Sequence, residues 1–470
     1  MKSSGTSQSR STLPFKVLSV HFVYFVLGIL LLASCKSNNE PAPNSTPNPA
    51  DEFSYEIASK WADLQLILTQ KTSGYTPPVA SRAYGLGGLT MYESIVHGML
   101  DHQSLAGQLS GLSKLPQPEA GKAYHWAISL NAGQATILRA LYAEASLPQA
   151  TNNLKVIDSL ETALLETFSK QTNTDTQTRS IQLGKAIANA IFEWSKTDGG
   201  HEGYKRNFPV TYKTPVFPGA WQATENGQKI PMQPTWGNNR TFVPSNTTLA
   251  MPAPIPFSSS ITSQYFAQYL EVYTKNKTLS TEEKEIAVWW ADNPSETFTP
   301  PGHSYNIANI AAKSSKTTLG KAVEGFARTG IAVADAFIGC WKGKFTYMNE
   351  RPYTMVRRSI DPDWKPFWPA PPFPGYSSGH ATQSGAAAEV LTFVYGNNFK
   401  FIDNSHNGRA NDPATNTPFK QRSFNNFYEF ADESAMSRFL GGIHTRQDNE
   451  VGLREGKKIG RNVNNLIFSL

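Results

Sequence analysis

Three short segments in the last third of the chain carry residue types suited to holding a tetrahedral oxyanion. The first runs from Lys344 to Arg351-Pro352, with six residues between the two cations. The second is Ser377-Ser378-Gly379-His380, which enters a small-residue helix, Ala381–Val394. The third is Ser437-Arg438, then five residues, His444, then three residues, Asp448. Lys344, Arg351 and Arg438 bring three positive charges, and arginine forks match oxyanions bidentately. Ser378 adds a hydroxyl. Gly379 adds an amide at a helix start, where backbone N–H groups point outward at an anion. His444 and Asp448 are four apart and are expected on one helical face. Asp448 would there hold the Nδ1–H of His444 and orient Nε2 as nucleophile or metal ligand. Gly441-Gly442 is expected to break the preceding helix and let Arg438 fold back to the same centre. His380 is left as a second, unligated acid–base group.

Taken singly, each of these residues has an ordinary reading as a solvated charge, a packed histidine or a helix-face pair. The joint order and spacing of the three segments carries the inference. A rival motif, Gly375-Tyr376-Ser377-Ser378-Gly379, fits a hydrolase nucleophile elbow, which must follow a buried strand. The preceding Phe367–Pro374 holds four prolines and cannot be a central strand. Asp292, in Trp289-Trp290-Ala291-Asp292, is read as a structural partner for an active-site arginine, and the two tryptophans as core. His303 has two readings, a group lining the site or a turn histidine bonding backbone. Cys340 reads as a buried small residue, and His201-Glu202 lacks the second histidine of a zinc-protease motif.

The elements that must position these groups are helical. Ser81–Met99, Ala123–Glu144, Asn153–Lys170 and Thr178–Lys196 carry apolar residues at three- and four-residue spacing. Ser280-Thr281-Glu282-Glu283 has a capping-box spacing. Strand signals are sparse. Between Asp198 and Pro256 the periodicity fails and Pro, Trp, Gly and Asn dominate, so this stretch is expected to wrap a scaffold. The expected fold class is all-α, two packed helical bundles with long Pro/Trp-rich wrapping loops. The expected boundaries are 54–255 for the N-terminal bundle with its wrap and 256–470 for the C-terminal bundle with the site.

At the N-terminus, Lys2, Arg10 and Lys16 precede an apolar run, Val17–Leu32, that ends Leu32-Ala33-Ser34-Cys35. This resembles a bacterial lipoprotein signal, so residues 1–34 are expected to be removed and Cys35 lipidated after export. The protein would then sit on a bacterial membrane, in the periplasm or at the cell surface, held only through Cys35. Residues 35–53, rich in Asn, Pro and Ser, read as a flexible tether. The formal charge of the whole chain is +6, and half of it leaves with residues 1–34, too mild a balance for a nucleic-acid partner. Two cysteines exclude a disulfide framework and a cysteine zinc site.

The three segments resemble the signature shared by vanadium-dependent haloperoxidases and type-2 phosphatidic acid phosphatases: Lys-x6-Arg-Pro, Pro-Ser-Gly-His and Ser-Arg-x5-His-x3-Asp. The chain departs once, with Ser377 in place of proline, at a turn position rather than an oxyanion contact. The signature spans 105 residues, and residues 35–343 of the mature chain precede it. Within them Pro77–Arg82, Pro218–Trp221, Pro234–Gly237 and Thr299–His303 are similar to the bacterial haloperoxidase branch. The resemblance implies one vanadate per chain, held by Lys344, Arg351, Ser378, Gly379 and Arg438. It implies His444 as vanadium ligand, His380 as acid–base group and Lys344 as the group that polarises peroxide. Trp341 and Phe373 match pocket-lining positions. The implied substrates are hydrogen peroxide and a halide, with iodide or bromide favoured because chloride is hardest to oxidise, and small organic acceptors are implied as further partners. The alternative within the superfamily is an acid phosphatase using a phosphohistidine at His444.

Overall fold

Residues 49–143 and 148–469 are described by the structure, a computed structural model. The signal segment, Cys35 and the tether as far as residue 48 lie outside them. The first half of the described chain holds α1 (Glu56–Lys71), α2 (Pro77–Glu93), α3 (Trp126–Tyr142), α4 (Gln149–Phe168) and α5 (Thr174–Ser195). A single-turn helix, α6 (Pro244–Thr247), follows an irregular stretch. Then come α7 (Gln264–Asn276), α8 (Thr281–Trp289), α9 (Thr299–Ser315), α10 (Leu319–Tyr347) and α11 (Pro352–Ser359). The chain closes with α12 (Gly379–Tyr395), β1 (Phe401–Asp403), β2 (Arg422–Phe424), α13 (Phe427–Leu440) and α14 (Arg446–Asn464).

Local chemistry explains where these helices start. Ser280 caps α8 with both halves of the expected capping box. Pro77 and Pro78 open α2, where a missing N–H costs nothing. That start lies before the expected Ser81, because the apolar pattern reports core faces and not the first turn. The most extensive helix contacts are α2 against α10 and α12 against α14. The first of these pairs joins a helix from the N-terminal block to one from the C-terminal block. All described residues fall in one compact unit.

Three features matter for the site. The 29-residue α10 runs buried through the core, capped by Thr318 and ended by Met348 in left-handed geometry. The segment from Asp198 to Pro256 wraps it, and its backbone donors find a buried carboxylate on α10. Asp335 accepts from the N–H of Phe242 (2.7 Å) and of Val243 (3.0 Å) and from Asn246 Nδ2 (2.8 Å). The strands form a two-stranded antiparallel ribbon with Asp403 opposite Arg422. One expectation is corrected at the N-terminus. Pro49–Phe53, read as the end of a tether, is docked: Ala50 is fully buried, and Asp51 accepts from Thr318 Oγ1 at 2.9 Å. A short 3-10 turn of this kind leaves no periodic signature in a Pro- and Asn-rich stretch. No helix among the described residues is long and apolar enough to cross a membrane.

Candidate active site

Four elements bring the three segments together. Lys344 lies near the end of α10, Arg351 is the residue before α11, Ser378 caps α12, and Arg438 is in the last turn of α13. Ser378 accepts from the Ala381 N–H at 3.4 Å, so α12 begins at Gly379 with its free amides facing outward. Gly452 of α14 lies where a Cβ would come 3.0 Å from the Ser378 carbonyl oxygen and 2.8 Å from the Ala381 methyl. Only glycine lets α12 and α14 approach this closely beside the site. After α13, Gly442 takes φ +76°, and the Ile443 N–H bonds back to the Arg438 carbonyl at 3.2 Å. This reversal returns the chain to the centre and presents His444.

The His444–Asp448 pair forms, although not on a helical face. Helix α14 begins at Arg446 with Thr445 as its cap and Asp448 as the acid of a capping box, so His444 stands outside the helix. Asp448 Oδ2 accepts from His444 Nδ1 at 2.9 Å and from the Thr445 N–H at 3.1 Å. One carboxylate thus caps the helix and sets the histidine tautomer. The His444 Nε2 lone pair accepts from Arg351 Nη1 at 2.9 Å, which leaves it unprotonated and aimed among the cations.

The electrostatics are those of an anion cradle. Lys344, Arg351 and Arg438 are all buried, and none makes an ion pair with a carboxylate among the described residues. Lys344 Nζ donates to the carbonyls of Pro374 (2.8 Å) and Gly375 (2.9 Å). Arg351 donates to the carbonyls of Phe373 and Ile443 (both 2.9 Å) and keeps Nη2 buried and unpartnered. Arg438 donates to Ser437 Oγ (3.1 Å) and the Ala287 carbonyl (3.0 Å). Burial pushes Lys344 down to about 7 and both arginines down to about 10. Burial, followed by the charges of Arg351, Lys344 and Arg438, drives His444 well below its ordinary value. Buried charges of one sign without a counter-ion are costly, and a tetrahedral oxyanion among them removes that cost. The donor set fits vanadate: three cations, the Ser378 hydroxyl, the Gly379 amide and one neutral imidazole nitrogen.

His380 stands apart from that cradle. Its Nε2 is buried without a partner. Burial, then Arg438, lowers its pKa well below the usual imidazole value, while the Asp292 carboxylate and the nearby Trp290 backbone act the other way. It lines a cleft of about 250 Å³ together with Arg438, Asp292, Phe373, Trp368 and Met232. Phe373 therefore borders the cleft, with its ring 5.1 Å from Lys344 Nζ and 4.9 Å from the Arg351 guanidinium. Trp341 lies behind Phe373 (ring centroids 4.9 Å apart), and its indole donates to the Met232 carbonyl at 3.2 Å. It supports the wall from beneath and does not line the cleft.

Several other residues fall into place. Ser377, the nucleophile of the elbow motif, is fully buried against Met251 Sδ and Cys340 Sγ and follows a proline-rich strap. Asp292 does not pair with an active-site arginine, as its sequence position suggested. Its carboxylate accepts from His303 Nδ1 (2.9 Å) and His406 Nε2 (3.1 Å), while Arg438 takes the Ala287 carbonyl instead. The reason is reach: helix α8 ends at Trp289 and brings its last carbonyls to Arg438, turning Asp292 toward α9. His303 bonds carboxylates on both sides and is neither a turn histidine nor a cleft-lining group. Asp403 and His406, its neighbours, carried no signal in the sequence. They lie in a polar stretch about 100 residues from His303, with no local spacing to mark them.

Comparison with known proteins agrees with this geometry. Residues 324–470 match a family described as the VCPO second helical-bundle domain. A vanadium chloroperoxidase from Curvularia inaequalis is 26% identical over 353 residues, covering 58% of this chain, and the chain spans 57% of that relative's length. A crystal structure of a bacterial vanadium-dependent iodoperoxidase is 30% identical with a TM-score of 0.76, covering 89% of this chain and 98% of that one. A holo-type bacterial vanadium-dependent chloroperoxidase shares the fold, with a TM-score of 0.63 at 16% identity over 84% of this chain and 92% of that one. With its signature segments joined around one buried cationic cradle, and with a 30% identical relative covered almost end to end, this chain belongs to the vanadium-dependent haloperoxidase family.

Proposed function

We propose that the protein binds one vanadate and oxidises a halide with hydrogen peroxide to hypohalous acid, with iodide or bromide as the halide. The observation that carries this reading is the set of three buried, unpaired cations around a histidine nitrogen whose tautomer Asp448 has already chosen. The family relative described as an iodoperoxidase supports the halide choice, as does the lower potential needed to oxidise iodide.

Lys344, Arg351, Arg438, Ser378 and the Gly379 amide would hold the oxyanion, and His444 Nε2 would ligate the metal. Bound vanadate supplies a Lewis acid that activates peroxide for two-electron oxidation of the halide. The overall balance is one peroxide, one halide and one proton giving one hypohalous acid and one water. His380, which lines the cleft and whose Nε2 has no hydrogen-bond partner, takes the proton from incoming peroxide and returns it to the leaving oxygen. Lys344 is aimed by two carbonyls and, as a compact charge, polarises the oxygen that the halide attacks.

The test is reconstitution. Purified protein stripped of vanadate should show no halide oxidation, gain it in proportion to added orthovanadate, and lose it to competing phosphate. Activity indifferent to vanadate, or efficient hydrolysis of a phosphate monoester in place of halide oxidation, would overturn the reading. Export and lipidation of Cys35 belong to the same proposal and rest on the Leu32-Ala33-Ser34-Cys35 sequence. Mass spectrometry of protein from bacterial membranes should find a mature chain beginning at an acylated Cys35. An unmodified cysteine in an intact leader would remove the anchor.

A further inference from the structure

A second group of ionisable side chains lies buried beside the cleft, and the chemistry described so far does not use it. His303, on α9, has both ring nitrogens on carboxylates: Nδ1 is 2.9 Å from Asp292 Oδ2, and Nε2 is 2.7 Å from Asp403 Oδ2. Neither carboxylate oxygen can donate unless it is protonated, so both ring nitrogens are donors and the ring is a cation. Burial alone would lower its pKa, but the two carboxylates outweigh burial and raise it to about 10. Asp403 is correspondingly held at about 2. Three elements converge on the ring, namely α9, ribbon strand β1 and the turn after α8.

That turn ties the group to the active site. Trp289 donates its indole N–H to Asp403 at 2.8 Å. Trp290 stacks on the His303 ring with centroids 4.4 Å apart and planes 24° apart, a favourable face for a cation. Asp292, in the left-handed region at φ +49°, is held there by His303 and His406, a conformation that persists only where surroundings enforce it. The same short segment supplies the Ala287 carbonyl to Arg438, and its Trp290 backbone lies close enough to His380 to favour that ring's protonated form. The charge of His303 therefore fixes the backbone on which both active-site groups rest.

We propose that His303, held as an imidazolium between Asp292 and Asp403, is a positioning residue that clamps the Ala287–Asp292 segment and thereby orients His380 and Arg438. The ionisable groups beside it are Asp292 from the turn, Asp403 from β1, His406 beyond it and His380 from α12, while Tyr84 of α2 and Arg438 of α13 act on Asp292 and Glu433 of α13 accepts from the Trp290 indole. His406, whose pKa burial lowers, is neutral, so the cluster carries one net negative charge toward the cationic cleft. A metal held by Asp292, His303 and His406, whose ligand atoms lie within 4.8 Å of one another, would have to displace the His303 Nδ1 proton. The second carboxylate on Nε2 argues for the proton.

The role rests on the proposed peroxidase reading, but its first test does not. In nitrogen NMR of the vanadate-free protein, one histidine should show both ring nitrogens protonated throughout the neutral and mildly alkaline range. A bare nitrogen on His303 at neutral pH would overturn the proposal without any variant. Asp403→Asn removes one carboxylate, so the raised pKa falls and His303 loses its proton as pH rises. The His380 signals should then move with the same titration. Turnover at saturating vanadate should drop about 10- to 100-fold at alkaline pH and recover toward acid, with a smaller loss of vanadate affinity. Wild-type turnover and pH profile in Asp403→Asn would overturn the positioning role, and so would a stoichiometric divalent ion that the substitution releases. If the wild-type protein oxidises no halide, the functional reading fails instead, and the NMR result still judges the clamp.

Discussion

His444→Ala should leave a folded protein that scarcely binds vanadate. The substitution removes the nitrogen proposed as the metal ligand, while Asp448 keeps its bond to the Thr445 N–H, so the start of α14 survives. Three cations and the α12 amides would still attract an oxyanion, but only through charge-assisted hydrogen bonds. Loss of a partner that merely orients a ligand typically costs about 10- to 100-fold in metal affinity, and loss of the ligand itself should exceed that. Asp448→Asn, which disturbs the tautomer and keeps the nitrogen, should fall within that smaller range. Both can be measured by vanadium titration of the apo-protein, followed by halide oxidation at increasing vanadate. Undiminished affinity in His444→Ala would move the ligand elsewhere, most simply to His380, the other imidazole of the site.

His380→Ala should show the opposite division, with vanadate affinity near that of the wild type and turnover about 100- to 10,000-fold lower, the usual worth of a positioned acid–base group. None of the cradle contacts passes through this ring: its Nε2 is unpartnered and its charge state is neutral, because burial and Arg438 oppose protonation. The rate should be measured at saturating vanadate and peroxide, with affinity titrated on the same preparation. Wild-type turnover in a folded variant would exclude His380 from proton transfer. A collapse of vanadate affinity would instead make it part of the cradle. The two substitutions together separate holding the cofactor from using it, a distinction that the oxyanion signature alone does not make.

Much of this arrangement was legible in the sequence because it is written in short spacings. The Lys344–Arg351, Ser378–His380 and Arg438–His444 intervals, the Ser280 capping box and the glycine pair at 441–442 all appear in the structure as elements or turns of the expected kind. The His444–Asp448 interval shows the limit of such reading. Four residues apart describes both neighbours on a helix face and a group just outside a helix bonded to its capping acid. The Thr445 cap decides between them.

Residue types and order in the chain determined the chemistry available: which groups are cations, which histidines can ligate or shuttle protons, and where helices begin. Those properties are local, set by side-chain charge and by backbone groups within one turn of helix. Tertiary structure alone decided who partners whom across the chain. It placed His303 between Asp292 and Asp403, gave Arg438 the Ala287 carbonyl in place of the Asp292 carboxylate, and set Lys344 on the Pro374 and Gly375 carbonyls. No spacing encodes a contact between residues about 100 positions apart or a bond to a backbone carbonyl. Such pairings arise when buried helices exclude water and every enclosed donor and acceptor must find a partner within the packed core.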